Sequence, residues 1–335
     1  MMRLSQASIP TVLLVGNHDV APAAGRAHTL QEFGTLEVPH LHVGERIGRL
    51  DAETLGVPLQ VITVPWVSRS QLMTREETAG KTVEEVMLLI EERVSNGIDK
   101  LVEEADPELP LVMLAHATVE GATYSSERAV MIGHDLRLGG NIVNDPRLDY
   151  VALGHIHKHQ SLSKRHPPVV YPGSIERVDF GEAKEEKGFV LAEISKGKTT
   201  WEFVPLKTRR FIDLKVEPQD ADTFMVDVLA QLPEPERVAD AVCRVQLIYP
   251  RDWETLLDEK EVFEHFSEAF SLQVLKHYRT ERRARLGDSA AVEQMSQTEL
   301  LETYWRTLAM EPEEAEAMQG LVREVLAFGD EEPLE

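Results

Sequence analysis

Four histidines, an asparagine and an aspartate stand where they could act together on a metal ion. Leu153-Gly154-His155-Ile156-His157 holds two imidazoles at an i, i+2 spacing. In an extended backbone that spacing turns both rings to one side. Gly16-Asn17-His18-Asp19 follows the apolar run 11–15, and His116 follows the apolar run 111–115. Three apolar runs therefore each end in a metal-ligand type, and open α/β sheets place their sites beyond the carboxyl ends of the strands. Neutral imidazole nitrogen and amide oxygen suit borderline divalent ions such as Mn²⁺, Fe²⁺ and Zn²⁺, which makes Asn17, His116, His155 and His157 the candidate ligands. Taken singly each is weak, since Asn and Asp also make turns after strands. The weight lies in three strand-end matches in this order. A second i, i+2 pair, His40-Leu41-His42, follows no buried strand and reads as surface or structural.

The elements that must position these residues are legible from periodicity. Residues 5–15 lead into the first strand with no preceding element, and 25–33 reads as a helix. Residues 59–64 read as a strand that stops at Pro65-Trp66. Residues 82–105 carry one apolar stripe (Val83, Val86, Met87, Ile90, Val94, Ile98, Leu101, Val102), with Thr82 and Glu85 forming a capping-box pattern. Pro110 opens the strand ending at His116. The polar stretch 117–144 could cross the mouth of the site. Residues 148–153 and 169–171 read as strands, and 189–194 with 201–204 as a hairpin turning at Lys196-Gly197-Lys198. A first domain is expected to close near Pro205.

Beyond it, strands at 211–216, 242–248 and 272–275 with helices at 221–230, 253–257 and 262–270 describe a small α+β domain. Lys276-His277-Tyr278-Arg279 with Arg282, Arg283 and Arg285 is the one dense basic segment. It reads as a solvated face or linker, or as a phosphate or partner contact. Ser296 and Glu299 form a second capping-box pattern before Leu300, Leu301, Tyr304, Trp305 and Leu308. A last amphipathic helix starts at Pro312 and stops near Gly329. These helices could fold back on the body or dock on a partner.

Composition narrows the class. The chain has 335 residues, 28% charged and 42% hydrophobic, which suits a large core and two domains plus an appendage. Its lone Cys243 rules out an intrachain disulfide framework and fits a reducing cytoplasm. No apolar run approaches a membrane span, and no signal-peptide core follows Met1-Met2-Arg3. The formal net charge of −23 argues against a purely electrostatic nucleic-acid binder. Residues 288–335, however, carry two arginines against 13 acids, so nearly half of that excess sits in the tail.

Val15-Gly16-Asn17-His18-Asp19, then Leu114-Ala115-His116, then Leu153-Gly154-His155-Ile156-His157-Lys158 resembles the calcineurin-like metallophosphoesterases. Within them the chain looks most like the SbcD-type nuclease subunits of bacterial DNA double-strand-break complexes, through Tyr171-Pro172-Gly173-Ser174-Ile175-Glu176-Arg177 and the domain order. The resemblance covers nearly the whole chain. It implies an α/β fold with a β-sandwich flanked by helices, a small α+β capping domain and a C-terminal helical tail. The domains would be 1–207 for the nuclease, 208–287 for capping and DNA placement, and 288–335 for the ATPase partner.

The resemblance also implies two metal ions, usually Mn²⁺, with Asn17, His116 and His155 on one and His157 on the other. His18 would face the scissile phosphate and Asp19 would orient it. DNA would be the substrate and an SbcC-type coiled-coil ATPase the partner, in the cytoplasm, with a homodimer also open. The expected work is DNA repair, recombination and replication.

One departure is large. The family begins with a strand ending in Asp-x-His and a second ending in a bridging Asp, yet Asp-x-His occurs nowhere in the 335 residues. Four neutral ligands leave divalent charge uncompensated. A truncated or miscalled start is the expected explanation. A catalytically inactive fragment that binds the ATPase, and a different phosphoesterase of the same superfamily, are the alternatives.

Overall fold

The structure is a computed structural model that describes residues 1–20, 30–67, 75–124, 137–163, 165–279, 305 and 318–319. By internal contact the chain divides into two units. The first takes 1–213, 240–243 and 269–271, and the second takes 214–239, 244–268 and 272–335.

In chain order the first unit's strands are β1 (Thr11–Leu14), β2 (Leu41–Gly44), β3 (Gly48–Leu50), β4 (Gln60–Val64), β5 (Leu111–His116), β6 (Thr118–Val119), β7 (Arg137–Leu138), β8 (Tyr150–Gly154), β9 (Gln160–Ser163), β10 (Val169–Tyr171), β11 (Gly188–Ser195) and β12 (Lys198–Pro205). Among the described residues, six of them form one sheet in the order β3-β4-β5-β8-β10-β9. Its four central strands are parallel, and β3 and β9 close the edges antiparallel. Parallel neighbours need a crossover, and the helix Val83–Glu103 lies on the one from β4 to β5. That helix starts as its sequence requires. The Thr82 hydroxyl accepts from the Glu85 N–H at 3.2 Å, and the Glu85 carboxylate accepts from the Thr82 N–H at 2.8 Å.

Period-two alternation sends each central strand into two cores. Leu111, Met113 and Ala115 of β5 join Val86, Ile90, Val94, Ile98 and Val102 of the long helix. Val112 and Leu114 face the opposite way, toward Val190, Ala192, Ile194 and Trp201 of the β11–β12 hairpin. Burial on both faces is why these strands read as unbroken apolar runs. Asp149, 1% exposed, pins the strands at their starting end. Its carboxylate accepts from Leu111 N–H at 2.8 Å, Gly197 N–H at 2.6 Å and Lys196 Nζ at 3.2 Å. This mixed α/β arrangement of a multistranded sheet and helices is compatible with the fold that the resemblance implies.

One local expectation is corrected, and one is refined. A helix, Met2–Gln6, does precede the first strand. His42 lies in a strand, because β2 pairs in parallel with β1 from Thr11 opposite Leu41 to Leu14 opposite Gly44. The helix expected at 25–33 falls mostly outside the described residues, and Gln31–Thr35 is helical.

Most residues of the second unit's strands lie in a three-stranded sheet of β13 (Phe211–Val216), β14 (Val242–Tyr249) and β15 (Ser271–Tyr278), with β14 central. Cys243, Val245, Leu247 and Tyr249 alternate inward along β14, with Phe224, Val228, Val262 and Phe266 also buried. Of the basic segment, Lys276 pairs with Glu259 at 2.6 Å and Arg279 with Glu217 at 3.3 Å. Arg282, Arg283, Arg285 and the capping box at Ser296 lie outside the described residues, as does most of the expected tail. None of the described helices is long and apolar enough to cross a membrane.

Candidate metal centre

The candidate residues gather where the first unit's strands end. β5 and β8 are adjacent, and their register sets His116 opposite Gly154. β1 is not part of that sheet. It belongs to the separate β1–β2 pair, and the Trp66 N–H, just past β4, donates to the Val15 carbonyl at 2.8 Å. Asn17 then reaches His116, with 2.9 Å between Asn17 Oδ1 and His116 Nε2. Two donors at right angles on an ion with bonds of roughly 2.1 Å stand roughly 3 Å apart, so this separation suits adjacent ligands of one ion.

The His116 ring sits in a narrow slot. A methyl group at position 16 would lie 2.7 Å from its Cε1, and one at position 154 would lie 3.0 Å from its Nδ1. A side chain at position 16 would therefore force the ring or the backbone to shift, and one at position 154 would crowd it. The His155 ring stands 5.1 Å from the His116 ring and 4.9 Å from that of Trp66, centroid to centroid. Burial, then the neighbouring His155, push the His116 imidazole down to about 4, with Asp19 opposing and His18 and His157 reinforcing the shift. His116 is thus neutral near pH 7, the state in which imidazole binds metal. The same influences bring Asn17, His18, Asp19, His155 and His157 into one neighbourhood around His116.

The i, i+2 argument does not explain how the two later histidines converge. β8 stops at Gly154, and His155 takes φ of 95°, a left-handed conformation that a non-glycine residue rarely adopts and that costs of order 1–3 kcal/mol. A bend, not an extended strand, aims these rings. The turn carrying Asn17 is closed by its own aspartate. Asp19 Oδ2 accepts from the Gly16 N–H at 2.8 Å, and the Asp19 N–H donates to the Gly16 carbonyl at 3.2 Å. His18, next to it, is exposed.

The segment Tyr171–Arg177 carried the resemblance, but the contacts its residues make were not legible in the sequence. Tyr171, fully buried, donates its hydroxyl to the Ala117 carbonyl at 2.7 Å and accepts from the Val119 N–H at 3.0 Å. It thereby fixes the chain just past His116. Gly173, at φ of 80°, lets the Pro172-Gly173-Ser174 segment press on the His157 loop, where a Cβ would meet the His157 carbonyl at 2.6 Å. The Ser174 N–H donates to that same carbonyl at 3.0 Å.

Behind His157 lies a buried charged network. His157 Nδ1 is 2.8 Å from Glu182 Oε1, and Lys187 Nζ is 2.9 Å from Glu182 Oε2, with both the Glu182 and Lys187 side chains fully buried. Lys187 also reaches Glu185 at 2.9 Å and the His157 carbonyl at 3.1 Å. Arg177 staples the loop, donating to the carbonyls of Glu182, Glu185 and Arg209 and to the Thr208 hydroxyl. Burial works to raise the Glu182 carboxyl. The hydrogen bonds from Lys187, His157 and the Val178 N–H outweigh it and leave the group below its usual range. No spacing rule links positions 157, 182 and 187. The available signals were Asp179, which caps the short 3₁₀ turn Phe180–Glu182, and the acid-lysine run that follows it.

The donors present fit the amide-and-imidazole part of a cation pocket. They do not fit a complete two-ion site. Among the described residues, no group of three or more His, Cys, Asp or Glu side chains is arranged to hold a metal ion.

No family model matches the chain. Among curated proteins it is similar to the SbcD subunit of the SbcCD nuclease of Staphylococcus saprophyticus, with 24% identity over 263 residues, 72% of this chain. The chain spans 63% of the length of that relative. The resemblance to SbcD-type nuclease subunits, carried above by the motifs around Asn17, His116 and His155, is therefore borne out across most of the sequence.

Proposed function

We propose that the chain is an SbcD-like nuclease subunit that hydrolyses DNA phosphodiester bonds with the help of divalent metal. The observation that carries this reading is the approach of Asn17 Oδ1 and His116 Nε2 to 2.9 Å at the ends of converging strands, in a chain similar to a curated nuclease subunit. Asn17, His116 and His155 would hold one ion and His157 would contribute to a second, with Mn²⁺ the favoured metal. When bound, such ions polarise a phosphoryl oxygen and lower the pKa of water.

The chain's own residues do the rest. His18, exposed beside Asn17, faces the scissile phosphate and gives a proton to the leaving oxygen. Asp19 holds the turn that presents His18. Residues 208–287 help place DNA, and residues 288–335 bind the base of an SbcC-type coiled-coil ATPase. The setting is cytoplasmic DNA repair and recombination, and a homodimer fits the same reading.

The test is cleavage of linear DNA by the purified chain with Mn²⁺. The expected result is metal-dependent cutting that His18→Ala abolishes while Mn²⁺ still binds. No cutting by the parent chain would overturn hydrolysis as its activity, and cutting by the His18→Ala variant would overturn the role of His18.

A further inference from the structure

The Glu182–Lys187 pair has no counterpart among the residues so far given a chemical task. Two charged side chains are fully buried, with 2.9 Å between Lys187 Nζ and Glu182 Oε2. Burying such a pair costs desolvation that mutual attraction rarely repays in full. A device kept at that cost invites the question of what the carboxylate holds. Its other oxygen, Oε1, stands 2.8 Å from His157 Nδ1.

We propose that Glu182, anchored by Lys187, is a positioning residue that selects the tautomer of His157. The inference rests on the reading of His157 as a metal ligand. Lys187 is a donor only, and an ionised carboxylate is an acceptor only. Glu182 therefore accepts on both sides, from Lys187 at Oε2 and from His157 at Oε1. An accepting neighbour at Nδ1 places the imidazole proton on Nδ1 and leaves the ligand lone pair on Nε2, on the edge of the ring away from Glu182. Metal-binding histidines are commonly fixed in this way by a carboxylate on the second ring nitrogen.

The rest of the surroundings keeps the carboxylate in place. Asp179 caps the 3₁₀ turn by accepting from the Gly181 N–H at 2.6 Å. Arg177 Nε donates to the Glu182 carbonyl at 3.2 Å, and the Val178 N–H donates to Glu182 Oε2 at 3.2 Å. Lys187 and the Ser174 N–H both hold the His157 carbonyl, so backbone and ring are fixed from the same side.

The arrangement makes an isosteric substitution informative. In Glu182→Gln the amide has one accepting and one donating end. Lys187 demands the oxygen, so the NH₂ group faces His157 Nδ1 and donates to it. The imidazole proton must then move to Nε2, where it blocks the ligand lone pair. A Glu182 that served packing alone would tolerate this change with no tautomer shift.

The experiment is long-range ¹H–¹⁵N NMR of His157 in the metal-free full chain, parent and Glu182→Gln, with Mn²⁺ alone then titrated into each. The parent is expected to carry the proton on Nδ1 and the variant on Nε2, with Mn²⁺ affinity falling roughly ten- to a hundredfold in the variant. A parent protonated on Nε2, or on both nitrogens, overturns the proposal even if the variant fails to fold. So does an unchanged tautomer in a folded variant. The expected tautomers together with no Mn²⁺ binding by the parent would uphold the positioning role and overturn the metal-ligand reading on which it was built.

Discussion

Substituting Gly16 by Ala should damage the candidate site through one contact. The new methyl carbon would stand 2.7 Å from His116 Cε1, about 0.7 Å inside ordinary carbon–carbon contact of about 3.4 Å. The backbone at Gly154 is the ring's neighbour as well, close enough that a Cβ added there would stand 3.0 Å from His116 Nδ1. Either the ring tilts or the turn carrying Asn17 lifts away, and both stretch the 2.9 Å approach of Asn17 to His116. Overpacking of this kind costs about 1–3 kcal/mol, and ligand placement tolerates roughly 0.5 Å. Gly154→Ala intrudes less and should do the same more weakly. Urea unfolding followed by circular dichroism, with Mn²⁺ titration alongside, would read both effects. The expected order is parent, Gly154→Ala, Gly16→Ala, with Mn²⁺ affinity falling at least tenfold in the last. Equal stability and equal Mn²⁺ affinity in all three would refute the slot as a constraint on His116.

Other outcomes follow from the same packing. Tyr171→Phe leaves the Ala117 carbonyl and the Val119 N–H without the hydroxyl they share, which should cost about 2–5 kcal/mol in thermal unfolding because buried polar groups are left unmet. Acid should destabilise the metal-free chain through His116. Its pKa is about 4 when folded against an ordinary 6.5, so the folded state binds fewer protons between those values. The associated stability is complete above pH 6.5 and is lost as pH falls toward 4, by roughly 3 kcal/mol at most. His116→Asn should flatten that part of the pH–stability profile. Deletion from Ser296 onward should abolish capture of an SbcC-type ATPase while leaving Mn²⁺ binding intact, and unchanged co-purification would point to packing within the chain.

The apolar runs at 59–64, 111–115 and 148–153 located strands of the main sheet because burial on both faces keeps them largely apolar, with Gln60, Thr63 and Asp149 as buried polar exceptions. The long helix was legible from its stripe and from Thr82 and Glu85, since both signals are local. The sheet order was not. Nothing in residues 11–15 tells that β1 pairs with β2 and stays out of the six-stranded sheet. The convergence of Asn17, His116 and His155 followed from strand-end chemistry, but the reason offered for His155 and His157 did not hold, because backbone strain at His155 is set by tertiary contacts. Glu182 and Lys187 stayed hidden for the same reason, as did the partners of Tyr171. These contacts span 25, 30 and 52–54 residues in sequence, and a buried ion pair looks on paper like any exposed one.

The measurement that bears most directly on the whole account is electron spin-echo envelope modulation of Mn²⁺ bound to the full chain, which detects coordinated imidazole nitrogen. The account predicts strong nitrogen modulation in the parent, weakened by His155→Ala and lost together with tight binding in His116→Ala. Bound Mn²⁺ without nitrogen modulation, or modulation indifferent to both substitutions, would contradict it.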